Sequence, residues 1–360
     1  MGCSIDENLD YSFTVGTLAG SAGRALGSIV TKMIKNGGFP FKVFCTLYDA
    51  CVCSILEYGG EIMGFDAHDS ALQIYLRAAR SFLGVPKNSP IPGILSEMNQ
   101  LLPQYRGHVR MVRQYHRLLK SSVYNVSKKV FQWDKKLNEQ SVVNSWYNEV
   151  RSIFGENGLS EIFQNGLSFD LKETVNSLKH SLLKTQQNAL KVECSQKPKL
   201  RTFVKFKDFT NTPAYLTKPL SFVQRKMVAK SRLGCLEIRL ETGRWARPRL
   251  TEEERICLVC ENVEKNVENE SHFILKCSKY QFERITWLEK LTTPDSFLEL
   301  PEEEQIGIIL NHPSNVKLTA QYLINIYDIR SKIISKIPSE PKVLHLLPHD
   351  QCPACNPVQY

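Results

Sequence analysis

Four residues with the chemistry of metal ligands follow one another between positions 244 and 280. Cys257, Cys260, His272 and Cys277 read C-x2-C-x11-H-x4-C. Three thiols and one imidazole complete the donor set of a closed tetrahedral zinc site. The two-residue gap between Cys257 and Cys260 lets one tight turn aim both sulfurs at one ion. The polar run ENVEKNVENES between that pair and His272 suits a solvated loop. His272 opens the apolar run Phe273-Ile274-Leu275, the start of a helix. On a regular helix of ~3.6 residues per turn, Cys277 would lie about 140° away from His272. The helix must therefore end or unwind near Cys277 if both ligate. Four protein ligands leave no position open for a substrate, so the expected role of the zinc is structural. The alternative is three small buried thiols and one surface histidine. A second set, His345, His349, Cys352 and Cys355, reads H-x3-H-x2-C-x2-C at the C-terminus. It offers the donors for a second metal, although a proline-flanked terminal tail is by default disordered.

Charge gives the second kind of chemistry. The net charge is +9 over 360 residues. From Lys197 to Leu250 there are fourteen Lys or Arg against Asp208, Glu237 and Glu241, a net of +11, so the rest of the chain sums to about −2. Such concentration is the footprint of a nucleic-acid-binding surface. Within the segment, 220–236 reads as a basic amphipathic helix carrying Arg225, Lys226, Lys230 and Arg232, and Arg244 follows in a loop leading to the zinc ligands. Phe203, Phe206, Phe209 and Tyr215 are either core or platforms for unpaired bases. A second cationic feature is the helix after Pro103. Arg106, Arg110, Arg113, Arg117 and Lys120 step by four, three, four and three, which puts five cations on one face. No acidic residue lies between Glu97 and Asp134 to neutralise them. Guanidinium groups so spaced reach successive phosphates, contacts that position a protein on RNA or DNA with little sequence preference. The alternative for both patches is a solvated basic face.

The elements that must position these residues are helical. Leu18, Ala22, Ala25, Ile29 and Met33 recur at helical spacing and stop at Asn36-Gly37-Gly38. Further helices are expected from Pro40 to Tyr58, Ser70 to Leu83, Ile94 to Leu101, beyond Pro103, over 171–190 and 220–236, and, after the ligands, over 280–291 and 316–336. An acidic linker, 301–305, joins the last two. Trp133, Trp146, Phe154 and Phe163 point to packed helices in 121–195. Cys45, Cys51 and Cys53 fall in apolar patterning and are expected in the core. The fold class is thus mainly α: a helical thumb-like domain (1–120), a helical linker with the basic segment (121–240), a small CCHC zinc module (241–290), and C-terminal helices with a tail (291–360). No apolar run is long enough to span a membrane. Eleven cysteines without a secretory pattern point to a reducing, intracellular compartment. Met1-Gly2-Cys3-Ser4 hints at myristoylation, but Asp6 stands where that motif needs Ser or Thr.

One family is similar at several of these places. Leu233-Gly234-Cys235-Leu236, Glu241-Thr242-Gly243-Arg244-Trp245, Cys257-Leu258-Val259-Cys260 and His272-Phe273-Ile274-Leu275-Lys276-Cys277 resemble the C-terminal region of non-LTR (LINE-type) retrotransposon reverse transcriptases. Ser54-Ile55-Leu56-Glu57-Tyr58-Gly59 and Arg80-Ser81-Phe82-Leu83-Gly84-Val85 are similar to that family's thumb. The resemblance spans about 1–290 and is weak across 121–195. It implies an RNA-directed DNA polymerase family, nucleic-acid partners and a structural zinc. The departure is at the catalytic centre. Such a polymerase needs palm carboxylates to hold two metal ions; the family's Tyr-x-Asp-Asp signature is absent, and the chain has no Asp-Asp pair. The expectation is a fragment or degenerate copy comprising thumb, linker and zinc module, beginning just after the catalytic centre. It would bind nucleic acid without enzymatic activity of its own and without a small-molecule substrate. A structural or protein-interaction role for a remnant that has lost nucleic acid is the alternative.

Overall fold

The computed structural model describes residues 11–64, 69–139, 145–166, 169–260 and 266–337. The fold is mainly α. The first helices are α1 (Ser12–Lys35), α2 (Phe41–Tyr48), α3 (Ser54–Leu56), α4 (Gly60–Met63), α5 (Asp69–Leu83), α6 (Ile91–Met98) and α7 (Pro103–Lys120). They are followed by α8 (Val126–Glu139), α9 (Trp146–Glu156), α10 (Ser160–Gln164) and the long α11 (Leu171–Ser195). Short α12 (Phe203–Phe206) and α13 (Ala214–Thr217) lead to α14 (Phe222–Arg232) and α15 (Arg239–Thr242). After the metal-ligand stretch come α16 (Gln281–Leu288), α17 (Glu302–Asn311) and α18 (Val316–Ile334). Among the described residues the only β pairing is one antiparallel bridge, Ile256 to Val267.

The expected signals account for several of these boundaries. The apolar stripe of α1 is buried, and the helix stops where Gly37 and Gly38 adopt φ of +69° and +118°, which strain any residue with a Cβ. Gly38 N donates to Met33 O at 2.9 Å, satisfying a terminal carbonyl. The predicted helix from Pro40 is continuous to Leu56 but widens to a π-turn at Asp49–Cys53. There Cys53 is buried while Cys51 faces solvent, contrary to expectation, because the wider turn rotates it off the apolar face. The expected acidic linker at 301–305 is instead the start of α17. Glu302, Glu303 and Glu304 occupy its first turn, where carboxylates favour the positive helix end. Trp133 does not pack as expected; it is 63% exposed on α8.

Among the described residues, two apolar cores hold the helices. The smaller is built from α7 to α11 around Tyr115, whose ring contacts Phe131, Phe154 and Phe163, the last stacked at 5.1 Å. The larger runs from Ala22 on α1 to Ile326 on α18 and includes Cys257 and Cys277. It crosses every boundary drawn from the sequence, at 120, 240 and 290. Helix α11 serves both: Leu178 and Leu182 lie in the smaller core, Leu190 and Cys194 in the larger. Helix α7 is seated on α4 by a backbone contact that admits no side chain. A Cβ on Gly107 would stand 2.5 Å from Gly64 O. No helix among the described residues is long and apolar enough to cross a membrane.

Candidate metal centre and the basic surfaces

The four candidate ligands converge. One donor atom from each of Cys257, Cys260, His272 and Cys277 lies within 4.8 Å of the other three, a cluster that fits one metal ion. Cys260 Sγ and His272 Nε2 are 3.5 Å apart. Cys257, His272 and Cys277 are buried and Cys260 is half-buried, so the cluster is closed off from solvent on most sides.

Local chemistry explains the convergence. Cys257 N donates to Asn266 O at 3.1 Å and Glu268 N to Arg255 O at 2.9 Å, which fixes a short hairpin around the Ile256–Val267 bridge. The Asn269 side chain accepts from His272 N at 2.8 Å, capping the turn that carries the imidazole. From His272 to Lys276 the chain is a π-turn, and Cys277 N reaches back to His272 O at 2.8 Å. The wider i→i+5 turn brings residue i+5 nearer to the face of residue i than an α-turn does. Cys277 then leaves with ψ of 121°, so the helix ends there, as the ligand spacing requires. A hydrogen bond from the Cys277 thiol holds the Cys257 thiol well below the ordinary thiol range, while the same bond raises Cys277. The cluster thus favours a thiolate at Cys257.

The centre is welded to its surroundings. Glu268, fully buried, takes a bidentate pair from Arg330 of α18 at 2.7 and 2.9 Å and accepts from Arg239 N at 2.5 Å. Tyr322 of α18 donates to Ile274 O at 2.7 Å and stacks on Trp287 of α16 at 4.0 Å. Neither Glu268 nor Arg330 was singled out from the sequence; they lie 62 residues apart. No local spacing announces such a pair.

The basic residues meet mixed fates. Two members of the expected binding set are interior and unavailable to a ligand. Arg232 is 1% exposed and forms a bidentate pair with Glu97 of α6, Nε to Oε2 at 2.8 Å and Nη2 to Oε1 at 2.9 Å. Lys207 approaches the same carboxylate at 3.7 Å. Arg225, 3% exposed, has no carboxylate partner among the described residues: its Nε donates to Phe82 O at 2.9 Å and its Nη1 to Phe39 O at 3.0 Å. Phe82 lies in the last turn of α5, where carbonyls lack helical partners. Burial pushes Arg225 down to about 10, still charged at neutral pH. Arg244 is turned towards Glu241 at 3.5 Å, and Lys230 pairs with Glu237 at 3.1 Å. Lys226 is half-exposed over Gly84.

The stripe on α7 also divides. Arg106 pairs with Glu57 at 2.5 Å and with Asp49 at 2.8 Å, and Arg110 pairs with Glu57 at 2.7 Å. The neutralising carboxylates come from another part of the chain, so their absence from 98–133 did not leave the stripe bare. Arg113, Arg117 and Lys120 are exposed, with no carboxylate in ion-pair range among the described residues. Phe203, Phe209 and Tyr215 are core and Phe206 is half-buried, so these rings are not a base platform. His345, His349, Cys352 and Cys355, together with Gly2, lie outside the described residues. Comparison with protein families, with curated proteins and with solved structures returned no match.

Proposed function

We propose that the chain is a nucleic-acid-binding protein organised on a structural zinc, resembling the C-terminal part of a non-LTR reverse transcriptase without its polymerase centre. The observation that carries the reading is the Cys257–Cys260–His272–Cys277 cluster. Bond lengths of ~2.3 Å to sulfur and ~2.0 Å to nitrogen set tetrahedral zinc ligands about 3.5–3.8 Å apart. The 3.5 Å between Cys260 and His272 fits that edge. The donor set of three thiols and an imidazole suits zinc better than magnesium or calcium, which take oxygen. All four ligands come from protein, so the ion holds the hairpin and π-turn together and performs no chemistry.

Nucleic acid as the partner rests on the unpaired cations Arg113, Arg117 and Lys120 and on the arginines beside the metal hairpin. Phosphate contacts of this kind are steeply salt-dependent. A protein-interaction role is the second reading. It is favoured by the neutralisation of half the nominated cations and by the apolar face of Val126, Val130 and Trp133 on α8, all more than half exposed.

Purified chain is expected to carry one zinc. Metal and folding are linked at such sites, so Cys257→Ser or Cys277→Ser should lose the ion and the protease resistance of 240–290. Chain that never contains zinc and does not respond to a chelator would overturn the metal reading. Binding to RNA or DNA should weaken as salt rises; affinity unchanged from low to physiological salt would favour the protein-interaction role. Primer extension with magnesium or manganese should stay at background, and template-dependent synthesis by the pure chain would refute the absence of a polymerase centre.

A further inference from the structure

The loop between α15 and the metal hairpin is built to present an indole. Gly243, Arg244 and Trp245 form a 3₁₀ turn, and the loop is closed at its base by Leu250 N donating to Gly243 O at 3.2 Å. Arg255 locks that base. It is buried, and its Nη1 donates to Leu240 O at 3.1 Å and its Nη2 to Leu250 O at 2.9 Å, one carbonyl on each side of the loop. Its stem fills the space beside Gly243, where a Cβ would stand 2.6 Å from Arg255 Cγ. Arg255 lies two residues before Cys257 and its own carbonyl is paired in the metal hairpin with Glu268 N. The metal centre and the loop base are therefore joined through one short backbone segment, Arg255–Cys257.

On this base stands Trp245, 72% exposed. Arg247 and Arg249 beside it are exposed and have no carboxylate partner among the described residues. A large planar ring in water, on a loop fixed at both ends, loses little entropy when a second ring stacks on it. Glu252, Glu253 and Glu254 follow on the far side of the closing bond and are also exposed, so they offset Arg247 and Arg249 and local charge is nearly balanced. A duplex lying on phosphate contacts alone gains little there. An unpaired base needs only a flat face, and every base has one.

Resting on the nucleic-acid reading above, we propose that the 243–250 loop is a stacking post for single-stranded RNA or DNA. Trp245 lies against an unpaired base, Arg247 and Arg249 lie on the flanking phosphates, and the metal hairpin holds the post through Arg255. The loop's share of the affinity comes chiefly from stacking. It is specific for unpaired bases and indifferent to their identity.

The test uses the full zinc-loaded chain with three labelled probes: an oligo(U), an abasic oligomer of the same length, and a blunt duplex. Trp245→Leu should weaken oligo(U) binding roughly 5- to 150-fold, the range of one lost base–aromatic stack. Abasic and duplex binding should change by less than about twofold, the size of a change without lost stacking. Trp245→Phe, which keeps a planar ring, should retain most of the oligo(U) affinity. Zinc content and melting temperature should match the parent chain, since the indole is solvent-facing. Equal weakening on all three probes, or no rescue by Trp245→Phe, would make the residue merely structural and overturn the post. Oligo(U) affinity unchanged in Trp245→Leu, with binding otherwise intact, would overturn it too and leave the nucleic-acid reading standing. A parent chain that binds none of the probes would remove both.

Discussion

Helices α7 and α14 carry similar cargo and use it differently. Each has a run of Lys and Arg at helical spacing, and each ends in a basic turn. Helix α14 lies inside the larger core, packed against α5, α13 and α18. Its arginines cross-link that core: Arg225 satisfies carbonyls of other elements, and Arg232 joins α6 to α17 through Glu97, Leu310 O and Asn311. Helix α7 borders both cores with one face exposed. Its first two arginines are engaged by Glu57, and its last three cations project into solvent. A count of positive residues therefore overstates the positive surface. What matters is whether a carboxylate or a carbonyl from elsewhere reaches the guanidinium first.

The sharpest way to break this contrast is at Glu97. Glu97→Ala should cost about 3–5 kcal/mol, because it strands the buried charges of Arg232 and Lys207. Chemical denaturation measures this, and a loss below 1 kcal/mol, roughly the worth of a surface pair, would mean the pair is not interior. The same carboxylate makes a pH prediction. Burial alone raises the Glu97 pKa, but Arg232 and Lys207 more than reverse that and hold it below the ordinary range. A group lowered on folding stabilises the fold above its unfolded value of about 4.3 and loses that contribution as pH falls through the folded value. Stability should therefore drop as pH falls below about 4.3, less steeply in Glu97→Gln than in the parent. An identical acid profile in the two chains would show that Glu97 carries no such linkage.

Next in size is Arg225→Gln, expected to cost about 1.5–3 kcal/mol for lost charge-assisted hydrogen bonds to Phe82 O and Phe39 O. The loss should appear in thermal melts and be nearly independent of salt. Smallest in stability is the triple change Arg113→Gln, Arg117→Gln and Lys120→Gln. The fold should hold within about 0.5 kcal/mol, as for surface sites generally. The log–log salt slope for single-strand binding should flatten by up to about 2, at roughly 0.7 per lost phosphate contact. If the slope survives the triple change, α7 is ordinary solvated surface and the contrast with α14 is one of burial alone.

The ligand site was more legible than the binding surface. Cys257, Cys260, His272 and Cys277 lie within a stretch of 21 residues, so their spacing already limits the geometry, and it demanded the break in helix that the π-turn and Cys277 supply. The helix end at Gly37-Gly38, and the helix starts at Pro40 and Pro103, were legible for the same reason: caps and φ preferences act within a few residues. Trp133 misled, since an aromatic at helical spacing does not say whether a partner covers it.

Local sequence by itself determined the helical class, several element boundaries and a set of four metal donors. Tertiary structure alone decided which charges are spent inside. Glu97 meets Arg232 across 135 positions, Glu57 meets Arg106 across 49, and Glu268 meets Arg330 across 62. Periodicity encodes which face of a helix turns inward, but not which distant side chain waits there. Burial and ion pairing depend on that second partner, and so does the difference between a cation that holds the fold together and one left free to meet a phosphate.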